Sequence, residues 1–329
     1  MSKIGIIGAG SWGCALALLL HKNGNQITVW SALESEIEIL KNNREHPALK
    51  GVKIPAEMEL VTSLTEAVNG NDFLVLAVAS PYVRETARKL KNLVPDGQII
   101  VNVAKGIEEA TLLTMSQIIE AEIPKAKVSV LSGPSHAEEV GRGIPTTIVI
   151  GANCNETMEY LQNIFMSEVF RVYKNDDVMG IELGAALKNV VALAAGIADG
   201  LGYGDNSKAA LITRGIAEIA RLGVALGCKA ETFYGLSGIG DLIVTCASAH
   251  SRNRRAGILI GQGKSMTEAM EEVKMVVEGV YSAKAGLSLA HKHNITTPII
   301  EQVNAVLFSG KNPASAVKEL MLRDKKAED

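Results

Sequence analysis

The stretch IIGAGSWGCAL (residues 6–16) places glycines at 8, 10 and 13, straight after an apolar run and straight before an alanine- and leucine-rich segment. The spacing is G-x-G-x-x-G. Between a buried strand and a helix, each glycine has its own task. The first permits the tight turn, the second lets backbone approach a pyrophosphate, and the third lets the helix pack close to the strand. The helix N-terminus then stabilises the negative charge. An ordinary tight strand-to-helix turn is the competing reading. The βαβ setting favours Gly8, Gly10 and Gly13 as a dinucleotide-binding loop.

The setting is visible on both sides of that loop. Short runs at 3–8, 26–30, 73–78, 98–103, 127–131 and 146–150 are near-continuous in Ile, Val and Leu. This is the pattern of strands buried on both faces. Helical segments such as 14–22 and 82–91 fall between them, as expected for an open parallel sheet covered by helices, with room for antiparallel edge strands. After about residue 175 strand-like runs become scarce. Helical windows follow at 178–198, 207–226, 253–262, 266–274, 282–291, 297–308 and 313–320, separated by turn signals such as DGLGYGDN and GLSGIG. The expected fold is α/β: a Rossmann-type doubly wound parallel sheet over 1–177, followed by an all-helical substrate and catalytic domain over 178–329.

Composition narrows the classes. The chain has 329 residues and a formal net charge of −3, so no broad basic surface for nucleic acid or an anionic membrane is expected. The four cysteines are scattered without a C-x-x-C pair. That speaks against a zinc site or disulfide framework and suits a reducing cytoplasm. The opening MSKIGIIG reads as no signal peptide. No apolar run is expected to reach the roughly 18–20 residues of a membrane span. His291 and His293 stand two apart, which on a helix puts them on different faces, so no metal site is expected.

Four further features carry chemistry. The run Leu183–Ala198 holds one charged residue, Lys188, in a helix apolar or small nearly all round. Such a lysine either snorkels to water or, desolvated, exchanges protons near neutral pH. Asp241 is the only formally charged residue between Glu231 and Arg252. It reads as a helix N-cap, as the carboxylate partner of Lys188, or as both. Lys105 lies just past the fourth strand-like run, at the carboxyl edge where open α/β sheets place ligands; a solvated loop lysine is the competing reading. Ser251, Arg252 and Asn253 stand at a helix start and suit a phosphate, with Arg252 the preferred ligand; a solvated basic face including Arg254 and Arg255 is the alternative. The usual acidic residue at the tip of the second strand is missing. That strand ends Trp30-Ser31-Ala32, with Glu34 and Glu36 slightly later and no arginine for a 2′-phosphate. NAD and NADP are therefore both open.

Taken together, GIIGAGSWGCALA, NVAKGIE, VLSGPSHAEEV, GAALKNVVALAAGIADGLGYGDNSKAALITRG, GLSGIGDLIVTCASAHSRN and VVEGVYSA resemble the bacterial-type NAD(P)-dependent glycerol-3-phosphate dehydrogenases over nearly the whole chain. The resemblance implies interconversion of dihydroxyacetone phosphate and sn-glycerol 3-phosphate, feeding glycerophospholipid synthesis in the cytoplasm. It implies Lys188 as proton donor and acceptor, with Asp241 and Lys105 in the catalytic set. Lys105, Gly133, Ser135, Lys188, Asp241, Ser251, Arg252 and Asn253 would meet the phosphorylated three-carbon substrate. Ser11, Trp12, Lys105, Ala137, Arg252, Val276 or Val277, and Glu278 would meet NAD or NADP. Thr245 and Asn189 are secondary candidates. One departure is at Ser31, Ala32 and Leu33, where many members carry Arg or His; it speaks against strong NADP preference. The helical domain offers a surface for a homodimer. The rival readings are a 6-phosphogluconate or 3-hydroxyacid dehydrogenase of similar build, and a dinucleotide sensor without chemistry.

Overall fold

A computed structural model describes residues 1–325, 327 and 328. They form two compact units, Met1–Lys105 with Leu113–Glu182, and Gly106–Leu112 with Leu183–Asp329. The sequence reading put the break at 177/178, where the helix Val178–Gly200 begins; residues 178–182 of that helix go with the sheet unit.

The first unit carries an eight-stranded sheet: β1 (Lys3–Ile7), β2 (Gln26–Trp30), β3 (Glu59–Val61), β4 (Phe73–Leu76), β5 (Ile99–Asn102), β6 (Lys127–Ser132), β7 (Thr146–Ala152) and β8 (Phe170–Asn175). The order is β3-β2-β1-β4-β5-β6-β7-β8. All neighbours are parallel except β6 and β7. Side chains alternate across the pleat. Ile4, Ile6, Phe73, Val75 and Val101 enter one core with the helix Ser11–Lys22. Ile7, Leu74, Leu76 and Ile100 enter another with the helices Val83–Leu90 and Met115–Glu122. Both faces are thus covered, which is why these strands are apolar throughout. This is the Rossmann-type doubly wound sheet. The order in which strands are added reverses between β1 and β4, and because β1, β4, β5 and β6 are parallel their carboxyl ends share one edge.

Two strands escaped the sequence reading. β3 has three residues, and β8 alternates buried and exposed positions, FRVYKN, as an edge strand with one wet face does. β7 and the edge strand β8 are parallel to each other and run opposite to β1–β6, so the antiparallel strands are at one edge of the sheet.

The second unit is helical. It holds Val178–Gly200 from Leu183 onward, and Asp205–Ala225, Asp241–Ala247, Arg252–Gly261, Met266–Val273, Glu278–Lys292, Pro298–Phe308 and Pro313–Met321. Contrary to the sequence expectation, Val178–Gly200 is long and apolar enough to cross a membrane by length and composition. Here 94% of its apolar window is buried inside the protein, so it is a core helix.

That helix meets Arg252–Gly261 backbone to backbone. A Cβ on Gly196 would overlap the Arg254 carbonyl oxygen, and one on Gly200 the Ile258 oxygen. Reciprocally, a Cβ on Gly257 would fall 2.9 Å from the Gly196 Cα, and one on Gly261 would fall 2.9 Å from the Gly200 Cα. Two glycine pairs, each four residues apart, therefore interlock.

Candidate active site

In the sheet unit the glycine loop follows β1. Gly8 has φ +127°, and a Cβ there would lie 2.7 Å from the Ala77 carbonyl. A Cβ on Gly13 would overlap the Gly8 oxygen. One on Gly10 would meet nothing within 4 Å. The loop backbone is thus pressed against β4's exit on one side and open at Gly10 on the other. Gly10 is the N-cap of Ser11–Lys22, and the first turn carries neither a side-chain cap nor an acidic residue. Its N–H groups and the positive end of the helix dipole fit a dinucleotide pyrophosphate. Ser11 and Trp12 stand in that first turn, both half-buried.

Lys105 follows β5, and Gly133 and Ser135 follow the neighbouring β6. Lys105 Nζ donates to the Gly133 carbonyl oxygen at 3.3 Å, and Ser135 Oγ donates to the same oxygen at 2.9 Å. Ala137 opens the short helix after them. Polar residues that no local sequence pattern marks brace this edge. At the end of β5, Asn102 Oδ1 accepts from Ala104 N at 3.0 Å, and its Nδ2 donates to Glu182 Oε1 at 2.8 Å. Glu182 also accepts from Ser116 N at 3.0 Å and Ser116 Oγ at 2.9 Å. Burial pushes its carboxyl above the usual range despite these donors.

In the helical unit, Lys188 projects from the core helix and does not snorkel. Lys188 is 5% exposed and Asp241 2%. Lys188 Nζ donates to Asp241 Oδ1 at 2.8 Å and to Thr245 Oγ1 at 2.6 Å. Thr245 Oγ1 donates in turn to the Asp241 carbonyl at 2.6 Å. Asp241 and Thr245 are one helical turn apart on Asp241–Ala247, so both reach the same ammonium. A π-helical turn, Leu236–Gly240, leads into that helix, and Gly240 rather than Asp241 is its N-cap. The Asp241 carboxylate favours the ammonium form and burial opposes it. Cys246 lies close by, fully buried, its thiol pushed up to about 12 chiefly by burial. It is no nucleophile.

The SRN stretch forms the N-terminus of Arg252–Gly261. Ser251 is the N-cap, its Oγ accepting from Arg254 N at 3.2 Å. Half-buried Arg252 donates from Nη1 to the Val276 carbonyl at 3.3 Å. Asn253 is buried and ties three helices: its Nδ2 donates to Asn189 Oδ1 at 2.9 Å, and its Oδ1 accepts from Gly279 N at 2.8 Å. Glu278 precedes Gly279 in the same first turn. Arg252, Asn253, Val276 and Glu278 therefore come together, with Asn189 next to Lys188 in the chain. Arg254 is turned elsewhere, onto Asp199 Oδ2 at 2.7 Å, and Asp199 Oδ1 holds Lys208 at 2.9 Å. Arg255 is exposed.

Comparison with known proteins gives one answer. Residues 3–158 match the family model described as NAD-dependent glycerol-3-phosphate dehydrogenase N-terminus, and residues 177–318 match the corresponding C-terminus. The glycerol-3-phosphate dehydrogenase [NAD(P)+] of Agathobacter rectalis is 62% identical over 329 residues, 100% of this chain and 98% of that protein. The enzyme of the same name from Fusobacterium nucleatum is 61% identical, over 100% of this chain and 99% of that protein. The crystal structure of a glycerol-3-phosphate dehydrogenase from Coxiella burnetii matches with a TM-score of 0.94 at 35% identity, covering 98% of this chain and 99% of that one.

Proposed function

The chain belongs to the NAD-dependent glycerol-3-phosphate dehydrogenase family, and from that premise we propose how its residues divide the work. The reaction is the interconversion of dihydroxyacetone phosphate and sn-glycerol 3-phosphate with NAD(P)H, a step that supplies glycerophospholipid synthesis. When bound, the nicotinamide supplies or accepts the hydride. The residues of the chain bind, orient and move the proton.

The observation that carries this reading is the buried Lys188–Asp241–Thr245 cluster. In ketone reduction a hydride adds to the carbonyl carbon and the π electron pair passes to the oxygen. Lys188, as ammonium, donates a proton to that oxygen; in the reverse direction the neutral amine takes it from the alcohol. Asp241 and Thr245 fix the direction of Nζ and stabilise its charged form. Arg252 and Lys105 counter the substrate phosphate and the charge that develops on oxygen. Gly133, Ser135, Ser251 and Asn253 complete the substrate set. The glycine loop with Ser11 and Trp12, together with Ala137, Val276 and Glu278, serves the dinucleotide.

The four cysteines are free thiols, which supports a reducing compartment, and the reading assigns the enzyme to the cytoplasm. It also includes a homodimer through the helical unit, supported by exposed apolar side chains there such as Tyr234, Met275 and Tyr281; light scattering tests that. Lys188→Ala tests the mechanism. It should lower kcat by about 10²–10⁴-fold while NADH still binds. Near-normal turnover would remove Lys188 from its role.

A further inference from the structure

The sequence places no acid at the tip of β2, yet the fold brings one back. β2 ends beside the glycine loop, where Gly8 N–H donates to the Trp30 carbonyl at 2.9 Å. The next residue, Ser31, is buried, and its hydroxyl donates to Glu36 Oε2 at 2.6 Å while accepting from Leu33 N at 3.1 Å. Glu36 lies in the first turn of the helix Glu34–Asn43. The serine thus draws a carboxylate from that turn back to the strand end. The charge of Glu36 is felt on the helix after the glycine loop, where it helps raise the Cys14 thiol, and at His46, whose lowering by burial it opposes.

We propose that Glu36, held by Ser31, selects the dinucleotide: its carboxylate accepts the 2′-hydroxyl of the adenosine ribose and repels a 2′-phosphate in its place. A carboxylate has about four lone-pair sites, so the bond to Ser31 leaves acceptor capacity for a ribose hydroxyl. The strand exits offer a 2′-phosphate no ammonium or guanidinium, and the imidazole of His46 is the basic group within electrostatic reach of Glu36. No Lys or Arg occurs from 23 to 40, nor from 54 to 83, the segments that form the exits of β2, β3 and β4. Glu34 adds a second negative charge to the same first turn. The inference rests on the dinucleotide reading of the glycine loop and goes beyond it by making this chain an NAD enzyme.

The test is equilibrium binding of NADH and NADPH, read by nicotinamide fluorescence without ketone present. Wild type should bind NADH about 10- to 100-fold more tightly than NADPH. Glu36→Gln should bring the ratio to within about threefold of unity, largely by tightening NADPH. Ser31→Ala should lower the ratio less, because it frees the carboxylate without removing it. A measurement on wild type alone supports the same point. The ratio should fall as salt rises from about 0.01 M to 1 M, where the screening length shrinks from about 30 to 3 Å. Equal affinities in wild type, or a ratio indifferent to both Glu36→Gln and salt, would overturn the assignment while leaving the dinucleotide site standing. Binding of neither dinucleotide would overturn that site and the assignment with it.

Discussion

Asp241→Asn removes the anion from the buried Lys188 pair and keeps its shape. The charged atoms are 2.8 Å apart. At an effective dielectric of about 20, unit charges at that separation attract by about 6 kcal/mol. Desolvation offsets much of this, and deleting one partner of such a pair costs about 3–5 kcal/mol if the other stays charged. Lys188 has a less costly outcome, which is to lose its proton. An opposite charge this near favours the ammonium over the amine. Ketone reduction needs the ammonium, so its alkaline limb should move to lower pH. Alcohol oxidation needs the neutral amine, so its acid limb should move the same way. Nicotinamide absorbance, followed in both directions across pH, measures both limbs. A uniform fall in rate with both limbs unmoved would refute the proton-transfer role of the pair and leave Asp241 a packing residue.

Three further outcomes are expected. Gly10→Ala should fold normally and bind NADH weakly, because its Cβ would stand where a pyrophosphate approaches, whereas Gly13→Ala should lose thermal stability through the Gly8 oxygen; normal NADH binding by Gly10→Ala would refute this. Arg252→Ala should raise KM for dihydroxyacetone phosphate by the equivalent of roughly 2–4 kcal/mol if the ion pair is desolvated; an unchanged KM removes it from the phosphate site. Glu218 accepts from Ile299 N at 3.0 Å and Ile300 N at 2.9 Å, capping Pro298–Phe308, and burial raises its carboxyl from 4.5 to about 7. A raised folded-state value stabilises the fold fully below pH 4.5 and loses that contribution as pH climbs through about 7. Wild-type stability relative to Glu218→Gln should therefore fall by about 3 kcal/mol across that window; a pH-independent difference in denaturant titrations would sink the argument.

Much of this architecture could be read from residue order, and the exceptions have physical causes. Strands buried on both faces advertise themselves, because every position must be apolar. β8 does not, since half its side chains face water, and β3 is too short to make a pattern. Lys188 and Asp241 stood out because a charge in an apolar run has few innocuous explanations. Across 53 residues of sequence their pairing is one of two readings of Asp241, beside a helix N-cap, and Thr245 joins them only through resemblance. Asn253 and Ser251 were visible as polar residues at a helix start. That each is also spent on holding the helix in place depends on Asn189, Gly279 and Arg254 N, which no local pattern reveals. Glu36 stands too far along the chain to mark the strand tip, because spacing cannot register a side chain that folds back onto Ser31.

The glycine crossing between Val178–Gly200 and Arg252–Gly261 has a consequence for redesign. The helix bearing Lys188 and the helix bearing Arg252 touch through main-chain atoms, so their spacing is as inelastic as the peptide units themselves. A bulkier ketone could not be accommodated by letting these helices drift apart a little, as side-chain contacts would allow. Engineers seeking a wider substrate range would have to shorten side chains at the rim and leave the crossing untouched. Families of variants selected for new substrates should accordingly show Gly196, Gly200, Gly257 and Gly261 unchanged while their neighbours vary.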